Sequence, residues 1–112
     1  STRGPQRATM KLDVEGSHVT EEGEGNGPID AIFNAIKTIV PHEVTLELYD
    51  VHAVTEGTDA QAEVTVRLSR DGSSVTGRGA DPDTLVASTK AYLAALNKLI
   101  ARGGRLHAQA AE

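Results

Sequence analysis

The chain half-repeats itself, and this repeat constrains its fold more than any other feature. Residues 16–20 (GSHVT) recur, with one substitution, as residues 72–76 (GSSVT). We call the shift in residue number from 16 to 72 the repeat offset. The same offset matches further identical residues: Leu12 with Leu68, Gly23 with Gly79, Ala31 with Ala87 and Ala35 with Ala91. A fixed spacing of this kind is the signature of a duplicated structural unit. We therefore expect two similar units, with the seam of the duplication as a natural ligand or dimer site.

Each copy begins with the pattern of a β-hairpin. Apolar and polar residues alternate over 8–14 and over 62–69, which is typical of half-buried strands. Glycine-containing turns follow both runs, and shorter returning strands are predicted over 18–22 and 74–79. Each copy therefore supplies two antiparallel strands.

A helix is predicted after each hairpin. The first begins at Pro28, because proline lacks the N–H that would be unpaired in the first helical turn, and it ends before Pro41. The second takes Asp81 as its N-cap and Pro82 as its first residue. It runs to Ala101, after which two glycines stop it.

One further strand has no counterpart in the first copy. Residues 44–54 alternate, with a change of parity that predicts a bulge near Tyr49 and Asp50. Shifted back by the repeat offset, this strand would lie before residue 1. The predicted order is thus β-β-α-β-β-β-α, an α+β fold of two pseudo-symmetric β-β-β-α units whose first unit lacks its first strand. We expect the chain to be a piece of a longer protein.

Composition narrows the function. The formal net charge of −5 and a pI near 5.3 argue against a protein that binds the phosphate backbone of nucleic acids. Without cysteine the chain has no thiol chemistry, no zinc–thiolate site and no disulfide, which agrees with a cytoplasmic protein. No apolar run approaches the roughly 18 residues of a membrane span. We expect neither nucleic acid nor membrane as a partner.

The sequence offers no catalytic constellation. Its four histidines are scattered, and none has the spacing of a metal site. His52 lies near a glycine-containing turn, and its parity predicts a solvent-facing side chain. The aspartates fall in predicted turns and caps, where they stabilise turn structure. We predict no catalytic residue, no metal and no cofactor in this chain.

Two short segments are candidates for ligand binding. The link at residues 23–28 (GEGNGP) lacks the lysine and hydroxyl residue of a phosphate loop, and Glu24 would repel a phosphate. The N–H groups of the helix that follows suit a carboxylate, or the glycines merely meet the dihedral angles of a tight link. Small residues at 57–62 (GTDAQA) leave room for a small ligand, or pack beside an ordinary turn.

Five motifs in order resemble those of a known family. They are GNGPIDA at 25–31, YD at 49–50, GTDAQA at 57–62, GRG with a following aspartate at 77–81, and VASTKAY with a following LN at 86–97. Together they closely resemble the C-terminal regulatory domain of 2-isopropylmalate synthases and the related citramalate synthases. The resemblance implies a domain built from two β-β-β-α units. It also implies that this domain helps the enzyme form a homodimer and binds the end-product amino acid of the pathway as a feedback inhibitor.

The resemblance covers residues 8–101, with the first unit at 8–41 and the second at 43–101. Residues 1–7 are expected to be a flexible N-terminal segment and residues 102–112 a tail. In the family, a separate TIM barrel holds a divalent metal and condenses acetyl-CoA with a 2-oxo acid. That barrel is absent from this sequence, so the metal and acetyl-CoA are expected on the barrel rather than here.

The resemblance also implies which residues border the effector. They are Asn26, Gly27, Ile29 and Asp30 in the first unit, and Leu46, Ala53, Ala60 and Thr84 in the second. The helix N–H groups would receive the effector carboxylate, and the apolar residues would enclose a branched side chain. The loop carbonyls, Asp30 and Asp50 are alternative acceptors for the ammonium group.

The leading hypothesis is a leucine-sensing module of a 2-isopropylmalate synthase. An isoleucine-sensing module of a citramalate synthase is the alternative within the family, since pockets separate two such isomers by only about 1–3 kcal/mol. A domain that assembles the dimer without binding an effector is the third possibility. A sensor of the ACT type is disfavoured, because its β-α-β-β-α-β order differs from the order predicted here.

Overall fold

The computed structural model describes residues 5–14, 16–40, 42–56 and 59–111. The chain forms two compact units, residues 1–43 and residues 44–112, each with its own antiparallel sheet and its own helix. The observed order of elements is β-β-α-β-β-β-α, which confirms the predicted α+β fold.

In the first unit a hairpin carries one helix. Strand β1 (Gln6–Val14) pairs antiparallel with β2 (Ser17–Gly25), and helix α1 (Pro28–Ile39) packs against both strands. The helix begins at the predicted proline. One apolar face of α1 forms the core of this unit. Its buried residues are Ala31, Ile32, Phe33, Ala35 and Ile36.

In the second unit three strands carry a longer helix. Strands β3 (Thr45–Glu56), β4 (Asp59–Arg70) and β5 (Ser73–Asp81) form a meander in the order β3-β4-β5, and α2 (Thr84–Ala111) lies over β4 and β5. The core uses every second residue of the strands and one face of the helix. Its buried apolar residues are Ala62, Val64, Val66, Leu68, Val75, Ala87, Ala91, Tyr92, Ala95, Leu96 and Leu99.

The sequence repeat is reproduced in the strand pairing. All nine β1–β2 pairs, from Gln6–Gly25 to Val14–Ser17, return at the repeat offset as β4–β5 pairs, from Ala62–Asp81 to Arg70–Ser73. Both hairpin turns also place a glycine at positive φ, 85° in the first and 80° in the second. The repeat is therefore a repeat of backbone structure, and among the described residues of the first unit no strand corresponds to β3.

Each helix lies so close to its hairpin that the strand residue at the point of contact must be glycine. A Cβ atom at Gly23 would lie 2.2 Å from the backbone nitrogen of Ala35 and 2.3 Å from the carbonyl oxygen of Ala31. At Gly79 it would lie 2.5 Å from the carbonyl oxygen of Ala87. Because these obstacles are backbone atoms of a helix, no side-chain rotation relieves the overlap. The repeated glycines and alanines are thus the contacts that seat each helix on its sheet.

The bulge of β3 lies nearer the start of the strand than the sequence predicts. The register of β3 against β4 shifts between Leu46 and Leu48, so the prediction of a bulge near Tyr49 and Asp50 is wrong. The additional residue is Glu47, and it brings Tyr49 to the side of the sheet that faces α2. Because the residues on both sides of the shift, Leu46 and Leu48, are leucines, the alternation of apolar and polar residues in the sequence does not reveal it.

Helix α2 begins at Thr84, two residues later than predicted. Asp81 is still part of β5, so its assignment as the N-cap is wrong, and Pro82 precedes the helix. The cap residue is Asp83, whose carboxylate accepts the N–H of Leu85 at 2.8 Å. A nearer carboxylate thus caps the helix, because the hairpin register extends β5 further than the alternating pattern indicates.

Helix α2 also continues to Ala111, so the predicted end near Ala101 is wrong. The glycine pair at residues 103–104 lies inside the helix. A glycine in a helix interior costs about 1 kcal/mol relative to alanine. That cost lowers helix stability without requiring the helix to end.

Replacing Gly77 with alanine is expected to destabilise the second unit. The added Cβ would lie 2.2 Å from the carbonyl oxygen of Ala91 and 2.4 Å from the nitrogen of Ala95. We expect Gly77→Ala to lower the free energy of unfolding by about 2–3 kcal/mol, measured by urea denaturation. Gly27→Ala is the matched control, since nothing lies within 4 Å of a Cβ there. An equal loss in both variants would contradict the steric explanation.

Tyr92 is expected to report alkaline unfolding of the second unit. The residue is 1% exposed, and burial raises the pKa of its hydroxyl from about 10 to about 12. Because the unfolded chain ionises first, the contribution of Tyr92 to stability is intact below about pH 10 and is lost as the pH rises toward 12. Absorbance of tyrosinate should show one late titration that disappears in Tyr92→Phe. Ionisation of Tyr92 near its ordinary pKa in the folded chain would disprove this.

Candidate functional site

Four of the predicted effector residues cluster at the start of α1. Gly27 is the cap residue, and its carbonyl accepts the N–H of Ala31 at 3.0 Å. The Asp30 carboxylate turns back and accepts the N–H of Asn26 at 3.0 Å. Ile29 is half-buried, whereas Asn26 and Asp30 are exposed. The structure therefore brings all four residues into one short, accessible segment.

The Asp30 carboxylate changes the electrostatics of this helix start. Negative charge in the first turn is favourable, because the N-terminal end of a helix carries a partial positive charge. Gly25 makes room for it, since a Cβ there would lie 2.5 Å from Asp30 Oδ2. A ligand carboxylate at the helix N–H groups would lie beside this charge, whereas an ammonium group is attracted to it. The segment thus offers complementary groups for both ends of an amino acid.

The predicted residues of the second unit do not form one cluster. Leu46 and Ala53 lie on the side of β3 that faces α2, because they are opposite the buried Leu68 and Ala62. Seven residues of extended chain separate them by roughly 20 Å. Ala60 lies near Ala53, two positions along β4 from the partner of Ala53. One bound amino acid therefore reaches one end of β3 but not both.

A buried hydrogen-bond network connects Thr84 to the middle of β3. Ser88 is fully buried, and its hydroxyl donates to the carbonyl of Thr84 at 2.7 Å. Because serine has one hydroxyl hydrogen, the Tyr49 hydroxyl is the donor in its 2.7 Å bond to Ser88 Oγ. Ser88 is not among the site residues predicted from the sequence. The feature of the sequence that could have identified Ser88 is a hydroxyl residue on the apolar face of the second helix.

Part of β3 in the second unit carries an open apolar surface. Leu46 and Val51 face the α2 side of the sheet, yet they are 45% and 41% exposed. The reason is that α2 lies over β4 and β5. Leu85, three residues before Ser88 and so on the same flank of α2, is 38% exposed. Such a surface suits an apolar ligand or the surface of another protein.

Asp50 lies on the opposite face of β3 from the open apolar surface. Its carboxylate Oδ2 is 2.6 Å from His52 Nε2, and 71% of the His52 side chain is exposed, which confirms the predicted solvent-facing orientation. This placement removes Asp50 as an ammonium acceptor for a ligand beside Leu46 or Ala53. Residues 57–58 of the second candidate segment lie outside the described residues.

Asp81 has a structural explanation in the link before α2. Its carboxylate accepts the N–H of Asp83 at 2.9 Å and lies 3.1 Å from Lys90 Nζ. The backbone hydrogen bond, and after it the bond to Lys90, holds the pKa of Asp81 below its usual value. The carboxylate thus stays ionised and holds the link in place, as expected for a turn aspartate.

Within the described ranges, no group of three or more His, Cys, Asp or Glu side chains is placed to hold a metal ion. Over the same part of the chain, no helix combines the length and the hydropathy needed to cross a membrane.

Known proteins match this sequence over almost the whole chain. A family model described as the LeuA allosteric (dimerisation) domain matches residues 1–100. A 2-isopropylmalate synthase of Methylobacterium nodulans is 75% identical over 108 residues, which are 96% of this chain and 21% of the relative. That of Methylorubrum populi is 72% identical over 108 residues (96% and 21%). That of Afipia carboxidovorans is 71% identical over 104 residues (93% and 20%). The chain spans about a fifth of the length of these relatives.

The Tyr49–Ser88 hydrogen bond is expected to stabilise the second unit. In a double-mutant cycle, Tyr49→Phe and Ser88→Ala should each lower the free energy of unfolding, with a coupling energy of about 1 kcal/mol. Thr89→Ala is the control, because Thr89 Oγ1 bonds to the carbonyl of Leu85 at 2.9 Å instead. Urea denaturation measures all variants. Additive effects of Tyr49→Phe and Ser88→Ala would show that the bond contributes nothing.

Proposed function

We propose a regulatory function for this chain, which belongs to the LeuA allosteric (dimerisation) domain family: it dimerises a 2-isopropylmalate synthase and binds leucine as feedback effector. The observation that carries the proposal is the family match over residues 1–100 together with relatives above 70% identity that are named 2-isopropylmalate synthases. These names favour leucine over the isoleucine of a citramalate synthase.

The catalytic part of the proposal concerns a larger, cytoplasmic protein. Such an enzyme would condense acetyl-CoA with 2-oxoisovalerate on a TIM barrel that holds a divalent metal. The chain is about a fifth as long as its relatives, so there is room for such a barrel in the remainder of a protein like theirs. The present chain would supply assembly and regulation.

The start of α1 supports a site for the polar end of leucine. Pro28 has no N–H, but the N–H groups of Ile29 and Asp30 have no acceptor inside the helix and suit a carboxylate. The exposed Asp30 carboxylate, held by Asn26, suits the ammonium group. The proposal assigns both charged ends of leucine to this segment, with Gly27 allowing close approach.

The second unit carries its own candidate surface for an apolar ligand group. Leu46 lies at one end of β3, and Ala53 with Ala60 lies at the other. All three are exposed on the α2 side of the sheet, and Thr84 begins the helix that is tied to the middle of β3. Because roughly 20 Å separates the two ends of β3, a single apolar ligand group contacts at most one of them, and substitutions decide which end responds to leucine.

Calorimetric titration of the 112-residue chain with leucine, isoleucine and valine tests this function. We expect saturable heat with leucine, weaker heat with the other two, and a Kd raised at least about tenfold by Asp30→Asn, which removes the charge facing the ammonium group. Asp71→Asn is the matched control, since Asp71 lies in the β4–β5 turn at φ 52°, a conformation that asparagine tolerates.

Two further variants test the residues of the second unit for an effect on leucine binding. Leu46→Ala should weaken binding if the ligand lies at the start of β3, and Ala53→Val should block it if the ligand lies at the far end. Tighter binding of isoleucine would favour the citramalate synthase alternative. No heat with any of the three at millimolar concentration, with a dimer in sedimentation equilibrium, would leave an assembly domain and contradict leucine sensing.

A further inference from the structure

The helix-free face of the second unit's sheet contains a concavity of about 420 Å³ whose lining is cationic. Its lining residues are Leu48, Thr65, Arg67, Thr76, Arg78 and Lys98. Three of the six carry a positive charge and none carries a carboxylate, although the chain as a whole has a net charge of −5. Local charge of the opposite sign to the whole molecule calls for a physical explanation.

The strand register sets the geometry of this concavity. Arg67 on β4 is opposite Thr76 on β5, and Thr65 is opposite Arg78, so the two arginines are diagonal neighbours on one face. Side chains in this relation are within reach of one another. Lys98 reaches the same place from α2 and donates to the carbonyl of Thr76. Three cations therefore converge on a site bordered by two threonine hydroxyls.

Within the described residues, these three cations form no ion pair with each other's neighbours on the sheet, although Asp50 and Glu63 lie on the same face. Neither arginine nor Lys98 has a carboxylate within ion-pair distance there. Two acidic side chains of the same sheet have other partners, since Asp50 is paired with His52 and Glu47 accepts a hydrogen bond from Ser74 at 2.8 Å. A third, Glu63, is diagonal to Arg78 on the same face but forms no ion pair with it. Like charges on neighbouring strands repel one another, and a bound anion relieves that repulsion.

The first unit shows that the scaffold does not require this arrangement. At the repeat offset, Arg67 corresponds to Lys11 and Arg78 corresponds to Glu22. The β1–β2 register places Lys11 and Glu22 on the equivalent diagonal. In the first unit the repeat therefore carries opposite charges, whereas in the second it carries two arginines on the same backbone.

We propose that Arg67, Arg78 and Lys98 form a binding site for a multiply charged oxyanion of the phosphate class. A guanidinium group presents paired N–H donors that match two oxygens of a phosphate, and Lys98 adds a point charge. The Thr65 and Thr76 hydroxyls add neutral donors at the same place. The volume exceeds that of a single phosphate, and Leu48 gives it one apolar wall, so the site suits pyrophosphate or an organic phosphate ester.

This site is separate from the residues of the second unit proposed for leucine. Arg67 and Arg78 lie on the helix-free face of the sheet, whereas Leu46 and Ala53 lie on the face toward α2. Binding of phosphate and binding of leucine can therefore be measured independently, and the failure of one leaves the other standing.

Titration of the 112-residue chain with pyrophosphate tests the proposal, followed by calorimetry and by the arginine Nε–H signals in NMR spectra. We expect Arg67→Gln and Arg78→Gln each to raise the Kd at least about tenfold. Arg78→Glu, which copies the charge of the first unit, should abolish binding. Arg70→Gln is the matched control, because Arg70 lies on the same strand but has the parity of the buried residues, on the other face.

Further arms of the experiment identify the ligand. If phenyl phosphate binds more tightly than inorganic phosphate, the site is assigned to an organic phosphate ester. If inorganic phosphate binds more tightly than phenyl phosphate and pyrophosphate also binds tightly, the site is assigned to free phosphates. Circular dichroism shows that each variant is folded, and Arg78→Lys keeps the charge without the paired donors should Arg78→Gln fail. No saturable binding up to about 10 mM, or an equal effect of Arg70→Gln, would overturn the proposal.

Discussion

The contact of each helix backbone with a glycine on its hairpin is the interaction on which the rest of the structure depends. Gly23 lies against Ala31 and Ala35, and Gly79 lies against the equivalent alanines of α2. Because backbone meets backbone, covalent geometry rather than adaptable side chains sets the distance between helix and strands. The position of each helix start follows from this seat. The cluster around Asp30 and the Tyr49–Ser88 bond beneath α2 therefore depend on residues that carry no functional group.

Duplication explains the shared backbone of the two units, and the units differ in some of their polar side chains. Some polar contacts are repeated: Asn34 donates to the carbonyl of Glu24 at 2.6 Å, and Lys90 takes the equivalent place on β5. In both units a helix side chain thereby occupies a carbonyl on the strand edge, which limits pairing with further strands. Other positions differ. Asp83 caps α2 with its side chain, whereas the cap residue of α1 is Gly27, which has no side chain, and the Asp30 carboxylate turns back to Asn26 instead. A repeated backbone tolerates such changes wherever the side chain is not packed.

Much of the fold was predictable because it depends on local patterns. Alternation identified the strands, and the proline at the start of α1 identified that helix. The two errors at the start of α2 and in β3 have a common cause, since each depends on how far a strand pairs with its neighbour. Asp81 and Asp83 are both good caps in isolation, and the hairpin register decides between them. The residues at the start of α1 were predicted as a cluster because they are consecutive. Leu46 and Ala53 were not separated in advance, because their distance follows from the extended strand.

The sequence by itself determined the duplication, the order of elements, the start of α1 and the family. These follow from spacing and residue type, which are visible without coordinates. The tertiary structure alone decided which carboxylate caps α2, where β3 is bulged, that Asp30 turns back toward Asn26, and that Arg67 and Arg78 converge on one face. The physical reason is that these features depend on strand register and on the direction of individual side chains. Both are set by packing between segments distant in the chain, so they emerge when the helices are seated on their sheets.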